Sequence, residues 1–233
     1  ELRGIWDYLE SGNTLTCNSR CDFDTSQCTN PICGPGHKYN GDNSCTAIFT
    51  ASHEEGIFVS GTNSCDELRN RPNGTIYSSS SESYTFELIS YPNSTPKIYR
   101  LSIPFNTSSI PDLASIQSAD LTLTKELSHR NATNSHSASN DFFTIVPTTL
   151  ANLPILKKDD FDQFSSVDNP VELANRVDLS SEFEVYDRAV FRLNFNGLAN
   201  INKSGYSGFG VREGYDLFTT PNNGAYTNIK VGI

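Results

Sequence analysis

Carboxylates and histidines are the side chains from which this sequence could build a catalytic site, and they are scattered. Glycoside hydrolysis needs two carboxylates at a suitable distance. Proximity in the sequence offers five candidates: Asp159, Asp160, Asp162, Glu182 and Glu184. The four histidines show no zinc-protease spacing, and no Gly-x-Ser-x-Gly motif supplies a nucleophile. Because acidic side chains mostly lie on the solvated surface, we predict that the protein is not an enzyme and has no catalytic residue and no cofactor.

Six cysteines form the second set of reactive side chains. All lie in the first part of the chain: Cys17, Cys21, Cys28, Cys33, Cys45 and Cys65. An even number of cysteines beside extracellular features favours a disulfide framework, which persists only in oxidising compartments. We therefore predict that all six are paired, and the sequence does not choose among the possible pairings.

The same stretch also admits two metal-binding interpretations. The cysteine pairs within residues 17–33 approach the spacing of a zinc knuckle, and His37 lies nearby. Asp22, Asp24 and Ser26 stand at every second position, as ligands do at the start of a calcium loop, but no turn glycine or closing glutamate follows at the right spacing. Disulfides and a solvated loop explain the stretch without a metal, so we predict no metal site.

Asn-x-Ser/Thr sequons provide the modification chemistry. They occur at five positions: Asn73, Asn93, Asn106, Asn131 and Asn202. Most stand beside turn-forming residues, where a glycan can remain in water. We predict covalent N-glycans, which again indicate an extracellular compartment.

Composition and charge narrow the classes of partner. Ser, Thr and Asn are abundant and compete with helical backbone hydrogen bonds, while 11% aromatic residues favour strands. A net charge of −10, with no run of Lys and Arg, offers nothing for a nucleic-acid backbone to dock on. No apolar stretch approaches the roughly 20 residues of a membrane helix. We predict a secreted or cell-surface protein that binds no nucleic acid and does not insert into a membrane.

The elements that must carry these residues fall into three regions. Residues 1–16 form an apolar arm, residues 17–45 the cysteine-rich segment, and residues 46–233 a succession of short apolar runs. Alternation with period two is clearest in 99–105. Such runs, separated by turn signals, predict an all-β antiparallel sandwich or jelly roll. Short helices are predicted only at Asn169–Arg176 and Gly197–Asn202.

The N-terminal arm allows two secondary structures. A strand would place Leu2, Trp6 and Tyr8 on one face. A helix would instead bring Leu2, Ile5, Trp6 and Leu9 onto one face. Periodicity does not decide for so short a segment, but in either form the arm is apolar and holds the only tryptophan.

Several stretches, in this order, carry a resemblance to a known family. They are Tyr99–Pro111 (YRLSIPFNTSSIP), Ala114–Leu123 (ASIQSADLTL), Asp159–Phe164 (DDFDQF), Asn196–Tyr206 (NGLANINKSGY) and Phe209–Asp216 (FGVREGYD). Together they resemble DNRLRE-type domains, which are all-β modules of secreted and surface proteins allied to carbohydrate-binding modules.

This resemblance covers residues 46–233 and implies that one strand is missing. Such domains usually end on one further strand. In this sequence the last stretch, Asn228–Ile233, matches the strand before that final one. A sheet with an unfilled slot leaves backbone groups without partners, which natural sheets avoid. The resemblance therefore implies that a donor strand must come from elsewhere, and the arm of residues 1–16 is the available candidate.

The arm can fill its own sheet or that of a neighbour. Insertion into a neighbour is a heterologous contact, which does not close on itself and produces a filament. We predict a structural subunit that forms a head-to-tail homopolymer by donor-strand complementation. The alternative is a carbohydrate-binding or adhesive module of a larger surface protein, with sugar rings stacked on exposed aromatic residues. Its candidates are Tyr206, Tyr215, Phe218 and Tyr226.

Overall fold

The fold is taken from a computed structural model. It describes residues 2–7, 37–40, 44–51, 55–61, 65–77, 83–89, 97–125, 142–150, 153–167, 169–178, 188–218 and 226–232. For 2–7, 83–89 and 226–232 the description is limited to the backbone.

Within these residues the chain is mostly β-structure. The strands are β1 Leu2–Asp7, β2 His37–Tyr39, β3 Ser44–Phe49, β4 Glu55–Ser60, β5 Thr75–Tyr77, β6 Ser83–Ile89, β7 Lys97–Asn106, β8 Ser115–Lys125, β9 Phe142–Pro147, β10 Val177–Asp178, β11 Arg188–Arg192, β12 Tyr206–Glu213 and β13 Tyr226–Gly232. The helices are short: α1 Cys65–Arg69, α2 Phe195–Ala199, α3 Gly214–Phe218 and a 3-10 helix at Lys158–Gln163.

Hydrogen bonds connect the described strands into one continuous, branched sheet. The main order is β10-β9-β12-β7-β6-β13-β8-β1-β3-β2, with β4 and β5 attached through β7 and β11 attached to β8. Every pairing in the ladders is antiparallel. The two long strands, β7 and β8, change partners along their length. This β-rich antiparallel architecture confirms the predicted all-β class.

β7 pairs with other strands on both of its edges, and its proline lies where one of these neighbours has ended. It pairs with β4 along 97–102 and with β12 along 101–106. Pro104 lies beyond the last pair with β4, opposite Gly208 of β12. A residue without a backbone N–H is tolerated where a neighbouring strand has ended.

Two apolar cores lie on the two faces of this strand. The odd residues of β7, Leu101, Ile103 and Phe105, join a core with residues of β3, β8, β9, β10, β11 and β12. The even residue Ile98 joins a second core with residues of β4, β9, α1, α3 and the 3-10 helix. β9 also contributes alternate residues to the two cores, as successive strand residues point to opposite faces.

One of the two predicted helices is wrong. Asn169–Arg176 is extended: the Leu173 amide donates to the Ile145 carbonyl at 2.7 Å, and Ala174 forms a bridge with Leu193. Tertiary backbone bonds outweigh the weak helical pattern of this stretch. The second candidate, Gly197–Asn202, overlaps α2, which begins earlier, at Phe195.

Most of the cysteine-rich segment lies outside the described residues. Cys45 is on β3, 1% exposed and disulfide-bonded, and Cys65 begins α1. The pairing of all six cysteines, the sandwich and the boundaries between the three regions remain predictions.

Candidate assembly site

The N-terminal strand lies inside the sheet, between two strands of its own chain. β1 pairs along its whole length with β3, from Leu2 opposite Phe49 to Asp7 opposite Ser44. On its other side it pairs with β8, from Leu2 opposite Leu121 to Asp7 opposite Ser115. The arm is therefore a strand at residues 2–7, and the helical alternative is wrong there.

The slot that receives β1 is apolar on one face. Alternate residues of its two neighbours are buried: Cys45 and Ala47 on β3, and Ala119, Leu121 and Leu123 on β8. Directly opposite residues of antiparallel strands share a face. The register thus places positions 2, 4 and 6 on the core side and position 5 on the other side. Of the predicted arm residues, Tyr8 and Leu9 lie outside the described residues.

A shift in register marks the middle of the β1–β8 ladder. Ile5 is opposite Ser118, but Trp6 is opposite Ile116, so one residue of β8 is passed over. The β1–β3 ladder has no such shift, with Ile5 opposite Thr46 and Trp6 opposite Cys45. A bulge of this kind fixes one alignment, because sliding the strand would move the irregularity away from its site.

The energetics of the slot depend on the residue types in the arm. Two six-residue antiparallel ladders supply on the order of ten backbone hydrogen bonds, worth ~1 kcal/mol each after exchange with water. Ordering six residues costs about the same in conformational entropy, ~6–12 kcal/mol. These terms nearly cancel, so apolar residues at the core-side positions of the strand decide how firmly the slot is occupied.

Three of the predicted glycosylation residues are described, and all three are exposed: Asn73, Asn106 and Asn202. Asn93 and Asn131 lie outside the described residues. Asn106 and Asn202 adopt the same local geometry. The Asn106 Oδ1 accepts hydrogen bonds from the amide and hydroxyl of Ser108, and the Asn202 Oδ1 accepts the equivalent pair from Ser204.

These two sequons are also neighbours in space. Thr107, next to Asn106, is fully buried, and its hydroxyl donates to the Asn202 carbonyl at 2.6 Å and contacts the Ser207 hydroxyl at 2.7 Å. Its amide donates to the Gly205 carbonyl at 3.0 Å. Thr107 therefore joins the turn after β7 to the turn before β12. Glycans on the two asparagines would leave the molecule from adjacent turns.

A buried charged cluster is the feature that sequence reasoning missed. Arg100 on β7 and Arg212 on β12 are both 0% exposed, and Asp216 on α3 is 1% exposed. The Asp216 carboxylate accepts two hydrogen bonds from Arg100 at 2.8 Å and one from Arg212 at 2.6 Å. Burial alone would raise the pKa of Asp216, but the two guanidinium groups hold that pKa well below its usual range.

Backbone carbonyls take up the remaining donors of this cluster. Arg100 donates to the carbonyls of Phe161 and Arg69, and Arg212 to those of Phe164 and Asp216. The Arg100 guanidinium also lies 3.9 Å from the centroid of the Phe161 ring. The cluster thus fastens α1, α3 and the 3-10 helix to the sheet. An arginine in each of two apolar strands was the available signal.

The carboxylate candidates do not form a described catalytic pair. Asp160 is 7% exposed and its Oδ2 accepts the Lys157 amide at 2.7 Å, which caps the 3-10 helix. Asp159 and Asp162 are exposed on the same short helix. Glu182 and Glu184 lie outside the described residues. The observed role of Asp160 is structural.

The aromatic residues proposed to stack on sugar do not form one described surface. Tyr206 begins β12, and Phe218 ends α3 beyond the far end of that strand. The seven steps from Tyr206 to Glu213, at ~3.3 Å each, put the two ends of β12 roughly 23 Å apart. The side chain of Tyr215 and all of Tyr226 beyond its backbone are outside the description.

Two further features are absent from the described residues. They contain no group of three or more His, Cys, Asp or Glu side chains able to hold a metal ion. They also contain no helix that is long and apolar enough to cross a membrane.

Comparison with known proteins adds no relative. The chain matches no protein-family model, no curated protein and no solved structure. The resemblance to DNRLRE-type domains therefore stays a prediction.

Proposed function

We propose that the protein is a structural subunit of an extracellular, N-glycosylated filament that assembles head to tail by strand donation. β1 of one copy fills the slot between β3 and β8 of the next copy. The domain is a β-sandwich, its cysteine-rich segment is held by disulfides, and it acts on no substrate.

One observation carries the proposal. The N-terminal strand occupies an internal position of the sheet, while residues 8–36 separate it from the next described strand. An extended chain spans up to ~3.3–3.6 Å per residue, so the nine residues 8–16, which precede the first cysteine, can span roughly 30 Å. That length is sufficient to carry the strand into an adjacent molecule. Exchange of an identical element between copies is a low-cost route to assembly.

The same strand contacts serve the closed monomer and the filament. Because the arm is covalently joined to its own domain, it meets its own slot at an effective concentration of roughly millimolar. Exchange therefore depends on protein concentration and on contacts between copies outside the slot. The glycans support solubility of the polymer, because they cover surface beside the turns that carry them.

The test measures the size of the native glycoprotein with and without its arm. Light scattering and negative-stain imaging of the full chain should show linear assemblies, and deletion of residues 1–16 should leave monomers. A synthetic peptide of residues 1–16 should bind the truncated chain and shorten filaments of the full chain. Gly4→Pro in the peptide is the matched control, because proline removes a backbone N–H in the middle of a strand flanked on both sides.

Each outcome has a distinct meaning. Filaments that depend on the arm, together with capture of the wild-type peptide but not the proline peptide, support strand donation. A full chain that stays monomeric up to millimolar concentration refutes it, and β1 is then a strand of its own domain only. A glycan-binding screen of the monomer would then address the carbohydrate-binding alternative.

A further inference from the structure

An apolar groove opens beside the end of β1. It has a volume of about 320 Å³ and is lined by Ala114, Ile116, Phe195, Leu198, Ala199, Ile201 and Lys203. Ile116 and Leu198 are partly buried against the larger core, so the groove lies at the surface directly beside that core.

The groove is continuous with the slot. The last residue of β1, Asp7, is opposite Ser115, which stands between the groove residues Ala114 and Ile116. Trp6 of β1 is opposite Ile116 itself. The strand therefore ends at the edge of the groove, and in a strand-exchanged pair the donor chain would continue past this side of the acceptor.

The groove presents an exposed aromatic residue on a fixed support. Phe195 is 85% exposed, the highest value among the exposed large apolar residues of the described chain, and Leu113 nearby in sequence is 67% exposed. Phe195 is the first residue of α2, whose N-cap Asn194 accepts the Gly197 amide. A Cβ at Gly197 would lie 2.1 Å from the Leu173 carbonyl oxygen, so α2 sits against the neighbouring backbone with no slack.

We propose that this groove docks a second copy of the same chain, and that this contact favours the filament over the closed monomer. The inference rests on the proposed function and specifies its second interface. Strand contacts are equal in the two states, so they cannot select between them. A contact that exists only between copies can, and the groove is the exposed apolar surface that adjoins the point where the donated strand ends. A rigid aromatic residue at the centre of a contact is a common energetic anchor.

The rim of the groove is consistent with an approach by an acidic copy. The Lys203 ammonium donates to the carbonyls of Asp112 and Ala114, which holds a positive charge at the rim. Each chain carries a net charge of −10, so a cation at the contact reduces repulsion between copies. Asn202 adjoins this rim, so the experiments use the glycosylated protein.

The experiment compares Phe195→Ser with Ile155→Ser as its matched control. Ile155 is 57% exposed in a loop and lines no part of the groove. Both variants remove an exposed apolar side chain, and both should unfold at the urea concentration of the wild type. We expect Phe195→Ser to raise the protein concentration at which filaments appear by at least about tenfold, and Ile155→Ser to leave it unchanged.

Binding of the peptide of residues 1–16 to the arm-deleted chain separates this inference from the proposed function. Unchanged peptide affinity in Phe195→Ser, with impaired assembly, supports a second interface. Assembly of Phe195→Ser at the wild-type concentration overturns the inference and leaves strand donation intact. Impaired peptide binding also overturns it, because Phe195 then belongs to the slot. A wild-type chain that never assembles overturns both.

Discussion

Replacement of Asp216 by asparagine tests whether the buried charged cluster holds the fold together. Asparagine keeps the size of the side chain but removes its charge and one of its two acceptor oxygens. Arg100 and Arg212, both 0% exposed, then lose the carboxylate that accepts three of their hydrogen bonds. At least one arginine N–H must face the amide donor in place of an acceptor.

The expected loss is large compared with ordinary surface changes. Removing one partner of a buried ion pair costs ~3–5 kcal/mol because the remaining charge is uncompensated. The total free energy of unfolding of a native protein is ~5–15 kcal/mol. With a urea m-value of about 3 kcal/mol/M for a chain of this size, the unfolding midpoint should fall by ~1–1.7 M.

Equilibrium urea unfolding followed by far-UV circular dichroism measures this change. The matched control is Asp120→Asn, which removes an exposed partner 3.6 Å from Arg192. Exposed pairs contribute ~0–1 kcal/mol, so the control midpoint should move by less than roughly 0.3 M. If the Asp216→Asn midpoint falls no further than that of the control, the cluster does not stabilise the fold as argued.

Three further predictions follow from the same contacts. Because the folded-state pKa of Asp216 is depressed, its contribution to stability is present above the unfolded pKa of ~3.9 and is lost as the pH falls through the folded value. The difference in unfolding free energy between wild type and Asp216→Asn should therefore be constant above about pH 5 and shrink towards pH 2. A difference that does not shrink contradicts this role of the carboxylate. Gly197→Ala should lower the thermal midpoint by several degrees, since the added Cβ meets the Leu173 carbonyl oxygen at 2.1 Å, and an unchanged midpoint would show that α2 can move freely. Thr107→Val should lower the free energy of unfolding by ~1–3 kcal/mol through lost buried hydrogen bonds. The sequon at Asn106 stays intact, so the glycopeptide mass should be kept and only the urea midpoint should fall. Loss of the glycan would instead show that the turn geometry is needed for modification.

The strands could be predicted well because their residue types act locally. The alternation in 99–105 predicted β7, and the short apolar runs predicted between residues 46 and 233 include β9 and β12. A strand with apolar residues at every second position buries one face, so the local sequence pattern is enough to locate such a strand. The pairing order is different, because it depends on contacts between residues far apart in sequence.

The arm illustrates the limit of a short pattern. Six residues with Leu2, Ile5 and Trp6 fit a helix or a strand equally well, and the neighbours decide between them. β3 and β8 offer two rows of backbone partners, which a helix cannot use. The sequence thus identified the arm as an apolar segment but did not decide its conformation.

The buried cluster could not be predicted for a related reason. Arg100 alternates with apolar residues on β7 as a solvent-facing residue would, so its presence in an apolar strand does not by itself show that its face is also covered. The cover comes from α3 and the 3-10 helix, more than 50 residues away in the chain. Arginine in such a strand is therefore ambiguous until the second core is seen.

The position of β1 also sets an order of events during synthesis. The arm is made before both of its neighbours, and its slot is complete only after β8 has been made, with Leu2 paired to Leu121. Until then β1 has at most one of its two neighbouring strands, β3. Pairing across such a sequence separation is slow compared with local contacts. In the proposed filament, the interval between the synthesis of β1 and that of β8 is the time in which the arm of one copy can meet the slot of another.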